Sequence, residues 1–224
     1  NQTLGTAVIT MTGSSITGIT GSNIDFFQGS SALTTLASAT TSTITGTRLT
    51  LRQGTGVTFT VADGAAGIDL DVASEITNAG YGGNPLTKAG DGTMRLSGTN
   101  TYTGDTNVLA GALIVDGSLA SSTVAVSSGA TLGGSGTIGG NVTIDGILSP
   151  GNSPGTLTLG GNLLLNNTAT LFWEIDASAP LTLGLGVNDL VTVAGDLTLD
   201  GLINISGTGS FSGLANGTRW TLMT

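Results

Sequence analysis

The 224-residue sequence contains no cysteine and no histidine. Without histidine there is no imidazole general base, no Ser-His-Asp or Cys-His nucleophile system and no imidazole metal ligand. Without cysteine there is no thiolate nucleophile, disulfide frame, Fe–S cluster or zinc–thiolate site. Charge is also scarce: only 8% of residues are charged, and 5 Lys+Arg stand against 14 Asp+Glu for a net charge of −9. Five scattered cations cannot neutralise a phosphate backbone or hold an anionic bilayer, so nucleic acid and membrane-surface partners are not expected. No apolar run approaches the roughly 18 residues a membrane helix needs, and membrane insertion by this segment is not expected either. A leader peptide is expected to have been removed or to lie upstream of Asn1.

What the sequence does hold is glycine, 38 residues of it, with abundant Thr, Ser and Asn. Short alternating runs close on Gly, Asn or Asp: Val142-Thr143-Ile144-Asp145-Gly146, Thr156-Leu157-Thr158-Leu159-Gly160, Leu197-Thr198-Leu199-Asp200-Gly201. Every second side chain is apolar and its neighbour is usually Thr, the period of a strand with one buried face. No Gly-free stretch of helical length carries apolar residues at i, i+3, i+4 and i+7, and the β-branched residues and glycines disfavour helix throughout. The chain reads as all-β.

A recurring unit decides how the strands are arranged. Ala89-Gly90-Asp91-Gly92-Thr93-Met94-Arg95-Leu96, Gly139-Gly140-Asn141-Val142-Thr143-Ile144, Gly160-Gly161-Asn162-Leu163-Leu164-Leu165 and Ala194-Gly195-Asp196-Leu197-Thr198-Leu199 share one pattern. Asn141 and Asn162 lie 21 residues apart, and Asn162 and Asp196 lie 34 apart, a longer coil with an insertion around Pro180. Such spacing suits a solenoid, in which each coil adds its inward residues to one stack. Val142 and Ile144, Leu163 and Leu165, and Leu197 and Leu199 are expected to form an inner ladder; Asn141, Asn162 and Asp196 are expected to form a polar ladder at a corner. At about 20 residues per coil and about 4.8 Å per strand the chain would make on the order of 11 coils. Few aromatics are expected, because Leu, Val, Ile and Ala fill a narrow interior better than rings.

Residues 1–77 are less regular, with strand-like pieces such as Val57-Thr58-Phe59-Thr60-Val61 and Ile68-Asp69-Leu70-Asp71-Val72. They are expected to be earlier coils of the same rod, with 78–224 as its repeat coils. A separate N-terminal cap or head is the alternative, although no Pro-rich or charged linker marks a boundary.

The segment Leu86-Thr87-Lys88-Ala89-Gly90-Asp91-Gly92-Thr93-Met94-Arg95-Leu96-Ser97-Gly98-Thr99-Asn100-Thr101-Tyr102-Thr103-Gly104-Asp105-Thr106, continued by Val108-Leu109-Ala110-Gly111-Ala112-Leu113-Ile114-Val115, resembles the passenger-associated transport repeat, also called the autotransporter-associated β-strand repeat. Leu148-Ser149-Pro150-Gly151-Asn152-Ser153-Pro154-Gly155-Thr156 looks like the corner that commonly follows in such proteins. The resemblance implies a parallel β-helix outside a bacterium, in a large passenger or related surface protein. It speaks to fold and secretion route and to no activity.

Four further features invite a functional reading. Asp69 and Asp71 alternate with Ile68, Leu70 and Val72, which places both carboxylates on the outer face of one strand, as a carbohydrate-active β-helix enzyme would have them. With Glu75 they could hold Ca²⁺; a solvated strand face is the plainer reading. Gly134-Ser135-Gly136-Thr137-Ile138-Gly139 fits G-x-G-x-x-G by letter, but a strand pattern follows where a dinucleotide site needs a helix. Phe172 and Trp173 lie beside Glu174 and Asp176, a combination that can stack on sugars or plug a coil. A parallel rod also leaves unpaired backbone at its ends, and Leu4, Ala7 and Ile9 at one end and Trp220 and Leu222 at the other are the expected assembly edges.

The sequence is therefore read as an all-β, right-handed parallel β-helix (β-solenoid) acting as a non-enzymatic structural element at the bacterial cell surface or secreted from it: a stalk, coat or self-assembling filament unit. The alternatives are an adhesin passenger binding surface glycans and a carbohydrate-active enzyme using Asp69 and Asp71. No cofactor or metal is expected. The expected partners are copies of itself, adjacent coils of a longer chain, and glycans or a host surface.

Overall fold

The structure is a computed structural model that describes residues 2–4, 8–27, 32–52, 54–120, 123–151, 155–176 and 189–208. Its regular elements among these residues are all strands. Alternation sets their faces, as the sequence pattern requires. Val57–Val61 buries Val57, Phe59 and Val61 while Thr58 is exposed, and Thr123–Val126 buries Val124 and Val126.

The strands lie in three sheets of eleven, nine and five, and every strand-to-strand ladder is parallel. One winding shows the plan. Leu86–Ala89 lies on the nine-stranded sheet, Thr93–Leu96 on the eleven-stranded sheet and Thr99–Asn100 on the five-stranded sheet; the chain then returns to the nine-stranded sheet as Thr106–Val108. Thr106 pairs with Leu86 and Val108 with Lys88, one coil above. The molecule is a three-sided parallel β-helix.

Earlier coils turn the same corner differently. Ser42–Leu51 is one long strand whose first residues pair with Leu70–Val72 and whose later ones pair with Glu75–Thr77. Ser15–Phe26 is its neighbour, with a register shift between Thr17 and Ser22. Glu75–Thr77 leads into the five-stranded face, because the carbonyl of Ile76 accepts the N–H groups of Thr101 and Tyr102 at 2.8 and 3.2 Å. Gly46 takes the bend at φ +68°, where a side chain would also strike the Gly18 carbonyl.

Coil length varies along the chain, reaching 34 residues between Leu163 and its partner Leu197. Val57 pairs with Leu86, 29 residues on, whereas Thr123 pairs with Asn141, 18 on. The path of the largest sheet therefore holds ten strands among the described residues, fewer than a uniform 20-residue coil implies. At about 4.8 Å per spacing these ten make a stack roughly 43 Å deep. One continuous cluster of buried residues runs through it from Met11 to Val191. Rings occupy part of that core: Phe26 and Phe59 meet with centroids 5.6 Å apart, and Tyr102 and Trp173 are buried further along.

Candidate functional site

The carboxylates singled out in the sequence are structural braces. Asp69 precedes the strand Leu70–Val72 and is only 6% exposed, a correction to its expected place on the outer face. The polypeptide turns inward there, and its carboxylate caps two backbone groups: Oδ1 accepts the N–H of Gly64 at 2.9 Å and Oδ2 that of Thr93 at 2.8 Å, tying one coil to the next. Asp71 does face outward, but it accepts Arg95 Nη2 at 2.6 Å and Ser97 Oγ at 2.8 Å. Burial pushes its carboxyl up, while the two hydrogen bonds and the Arg95 charge outweigh this and hold it below its ordinary 3.8. Glu75 likewise accepts Arg48 Nε at 3.0 Å and Thr101 Oγ1 at 2.6 Å. All three carboxylates are thus engaged by neighbouring donors, and among the described residues no three acidic groups are placed to hold a metal.

Lys88 was passed over in the sequence and is completely buried. It takes an inward position on Leu86–Ala89, beside Leu86. Its ammonium donates to the carbonyls of Ala89 at 3.3 Å, Gly90 at 2.6 Å and Ala110 at 2.9 Å, so a cation closes the corner between two successive coils. Burial pushes its pKa down to about 8, against the opposing pull of Asp91 and Asp69. Asn100 does the same on the five-stranded face: Oδ1 accepts the N–H of Ile76 at 3.1 Å, and Nδ2 donates to the carbonyls of Gly98 and Ser118. Tyr102, fully buried, shares a 2.7 Å hydrogen bond with Thr106. All of these polar core residues fall within one repeat unit.

The residues of the proposed ladders lie in register. Val142, Leu163 and Leu197 pair in sequence across three coils, as do Ile144, Leu165 and Leu199. The first two of each row are buried, whereas Leu197 and Leu199 are 39% and 44% exposed. On the corner, Asn141 Oδ1 accepts the N–H of Asn162, and Asn162 Oδ1 that of Asp196. Of the expected assembly edges, Leu4 belongs to the strand Gln2–Leu4 and Ile9 to Val8–Met11, where Ile9 packs against the core. Ala7, Trp220 and Leu222 lie outside the described residues.

Trp173 is 1% exposed and offers no face to a sugar, whereas its neighbour Phe172 is exposed. Gly134-Ser135-Gly136-Thr137-Ile138-Gly139 runs into the strand Asn141–Ile144, so no helix N-terminus meets it. Shallow surface grooves lie among the described residues. One, about 290 Å³, lies over Gly21, Gly46, Ser74 and the Arg48–Glu75 pair. Another, about 360 Å³, lies over Asn78, Gly80, Gly82, Thr101 and Thr103.

Residues 86–115 match the Passenger-associated-transport-repeat family. A curated relative, the adhesin BmaC autotransporter of Brucella suis biovar 1 (strain 1330), is 40% identical over 65 residues, which cover 29% of this chain and 2% of that protein. The matched family segment coincides with the winding that carries Lys88, Asn100 and Tyr102.

Proposed function

We propose, from the premise that this chain is an autotransporter passenger-repeat protein of the surface-exposed or secreted kind, that it serves as a stiff, non-enzymatic stalk. The observation that carries this reading is the unbroken run of parallel pairing along the largest sheet, from Gln2–Leu4 through to Leu202–Thr208. Hydrogen bonds between coils run parallel to the rod axis, and a continuous aliphatic core sits beneath them, so bending must break ladder bonds or open the core. The carboxylates best placed for hydrolysis are spent on Gly64, Thr93, Arg95 and Ser97, which supports a mechanical role over a catalytic one.

A stalk should lengthen by whole coils. Thr93 pairs with Ala112, so residues 93–111 make one winding. Five extra tandem copies of that segment should extend the rod by about 24 Å without changing its cross-section, as read by small-angle X-ray scattering. An unchanged length would overturn the proposal, as would cleavage of a polysaccharide by the purified chain that Asp71→Asn abolishes.

The relative's name describes that protein as an adhesin. In this chain adhesion would fall to exposed side chains, which excludes Trp173 from the role.

A further inference from the structure

The described residues include seven aromatic side chains. Phe26, Phe59, Tyr102 and Trp173 are buried, while Phe27, Tyr81 and Phe172 are exposed. Two of the three exposed rings, 54 positions apart in sequence, meet over a single guanidinium. Arg52 Cζ lies 4.6 Å from the centroid of Phe27 and 3.9 Å from that of Tyr81. The rings remain 40% and 52% exposed. An exposed cation–π contact is worth only about 0.5–1 kcal/mol, a modest return for keeping two apolar rings in water.

The platform is rigid. Tyr81 sits on a loop fastened at both ends: Asn78 Oδ1 accepts the N–H of Thr103 at 2.6 Å, and Asn84 Nδ2 donates to the carbonyls of Leu51 at 2.8 Å and Tyr81 at 3.1 Å. Ala79 is held at φ +48° in the left-handed region, so this loop also stores strain beside the ring. The same loop, through Gly80 and Gly82, lines the 360 Å³ groove together with Thr101 and Thr103 of the next coil, while the Tyr81 ring lies outside that groove.

Charge narrows the ligand. Arg52 Nη1 is paired with Asp25 Oδ2 at 3.2 Å, in a contact whose side chains are 20% and 11% exposed. Asp25 is further held by Asn23 Nδ2, and Thr50 Oγ1 donates to Asn23 Oδ1 at 2.6 Å. The guanidinium charge is thus balanced where it stands, in a chain of net charge −9. A sulfated or sialylated chain would meet repulsion, and a polyanion finds no basic patch. A neutral sugar ring fits: it presents a face of C–H groups to an aromatic ring and a rim of hydroxyls to polar neighbours.

We propose that Phe27, Arg52 and Tyr81 form a binding site for neutral saccharides, the sugar face packing on the exposed rings. The site requires the fold but not the stalk reading, because a rod of fixed length could carry it or lack it.

Saturation-transfer NMR on the full chain tests it, with tetrasaccharides of glucose, galactose, mannose and N-acetylglucosamine as probes and sialylated and heparin-derived oligosaccharides as controls. At least one neutral probe should receive saturation and shift the ring signals of Tyr81. These are separable because the only other tyrosine, Tyr102, is buried. Tyr81→Ala and Phe27→Ala should each weaken binding about tenfold with the melting curve little changed, and Tyr81→Phe should retain it. The ring shifts in the unmodified protein decide the matter should a variant misfold. Absence of binding by every neutral probe, binding confined to the anionic controls, or unaltered affinity in both alanine variants would each overturn the proposal.

Discussion

Asn141 Oδ1 accepts the backbone N–H of Asn162 at 2.9 Å, and Asn162 passes the same bond to Asp196 at 2.8 Å. Each side chain thereby satisfies a backbone donor of the following coil at the point where the strand pairing starts. The arrangement needs glycine one residue earlier. A Cβ on Gly161 would stand 2.5 Å from Asn141 Oδ1, and one on Gly195 would collide with Asn162 Oδ1 and the Gly161 carbonyl. The Gly-Asn and Gly-Asp pairs are one device with two parts.

The ladder predicts an ordering of substitutions. Asn162→Leu should cost about 1 kcal/mol by leaving the Asp196 N–H without its acceptor, whereas Asn162→Asp should cost less because an oxygen remains. Gly195→Ala should cost about 2 kcal/mol through overpacking, and Gly67→Ala, with open space around it, about 0.5 kcal/mol or less. Urea unfolding midpoints would check the order, and equal effects at Gly195 and Gly67 would contradict it.

The Asp71–Arg95 pair makes a second prediction. With side chains 15% and 37% exposed it is partly screened, so Asp71→Asn should destabilise by about 1 kcal/mol at neutral pH. The folded-state pKa lies below the ordinary 3.8, so the contribution is fully present above 3.8 and is lost as pH falls through the folded value. Stability curves of the two proteins, compared at pH 6 and in strong acid, should therefore converge at the acid end.

Period-two alternation made the strands legible, since it follows from backbone geometry alone and Val142 and Ile144 could only face one way. The Asn corner was legible for a related reason: it recurs at the coil spacing. Lys88 could have been found the same way, because it alternates with Leu86 on the inward side, but an ammonium inside a dry stack runs against ordinary partitioning and three carbonyls had to be seen around it. Asp69 was misplaced because alternation was extended past the strand end into a turn. The meeting of Phe27, Arg52 and Tyr81 was hidden because the early coils are longer than the repeat, so a 20-residue register does not superpose positions 25 and 29 apart.

Burial of Trp173 gives a prediction that separates packing from recognition. Trp173→Leu should destabilise by about 3 kcal/mol through the cavity it leaves. It should leave saccharide binding at Tyr81 unchanged at temperatures where the variant is folded. Calorimetry for the first effect and saturation transfer for the second would check both; a selective loss of binding in a stably folded variant would contradict the packing role.

Lys88 should make the rod more stable as pH rises through mildly alkaline values, opposite to the behaviour of a lysine in a salt bridge. In the folded chain its pKa is about 8, down from the ordinary 10.5, because burial penalises the charged form more than Asp91 and Asp69 favour it. Between those two values the unfolded chain binds the proton and the folded chain has released it, so unfolding free energy increases with pH across that window. The whole increment is on the order of 3 kcal/mol. Below about pH 8 both states hold the proton and the slope disappears; above about 10.5 both have lost it. Denaturation at pH 7.5, 9 and 10 should show the rise in the native sequence and its loss in Lys88→Met, which keeps the volume and removes the titration. Direct ¹³C-detected titration of the Lys88 side chain, the sole lysine in the sequence, should give a midpoint near 8. A midpoint near 10.5, or an equal pH slope in Lys88→Met, would show that the ammonium is not sealed in the corner formed by Ala89, Gly90 and Ala110.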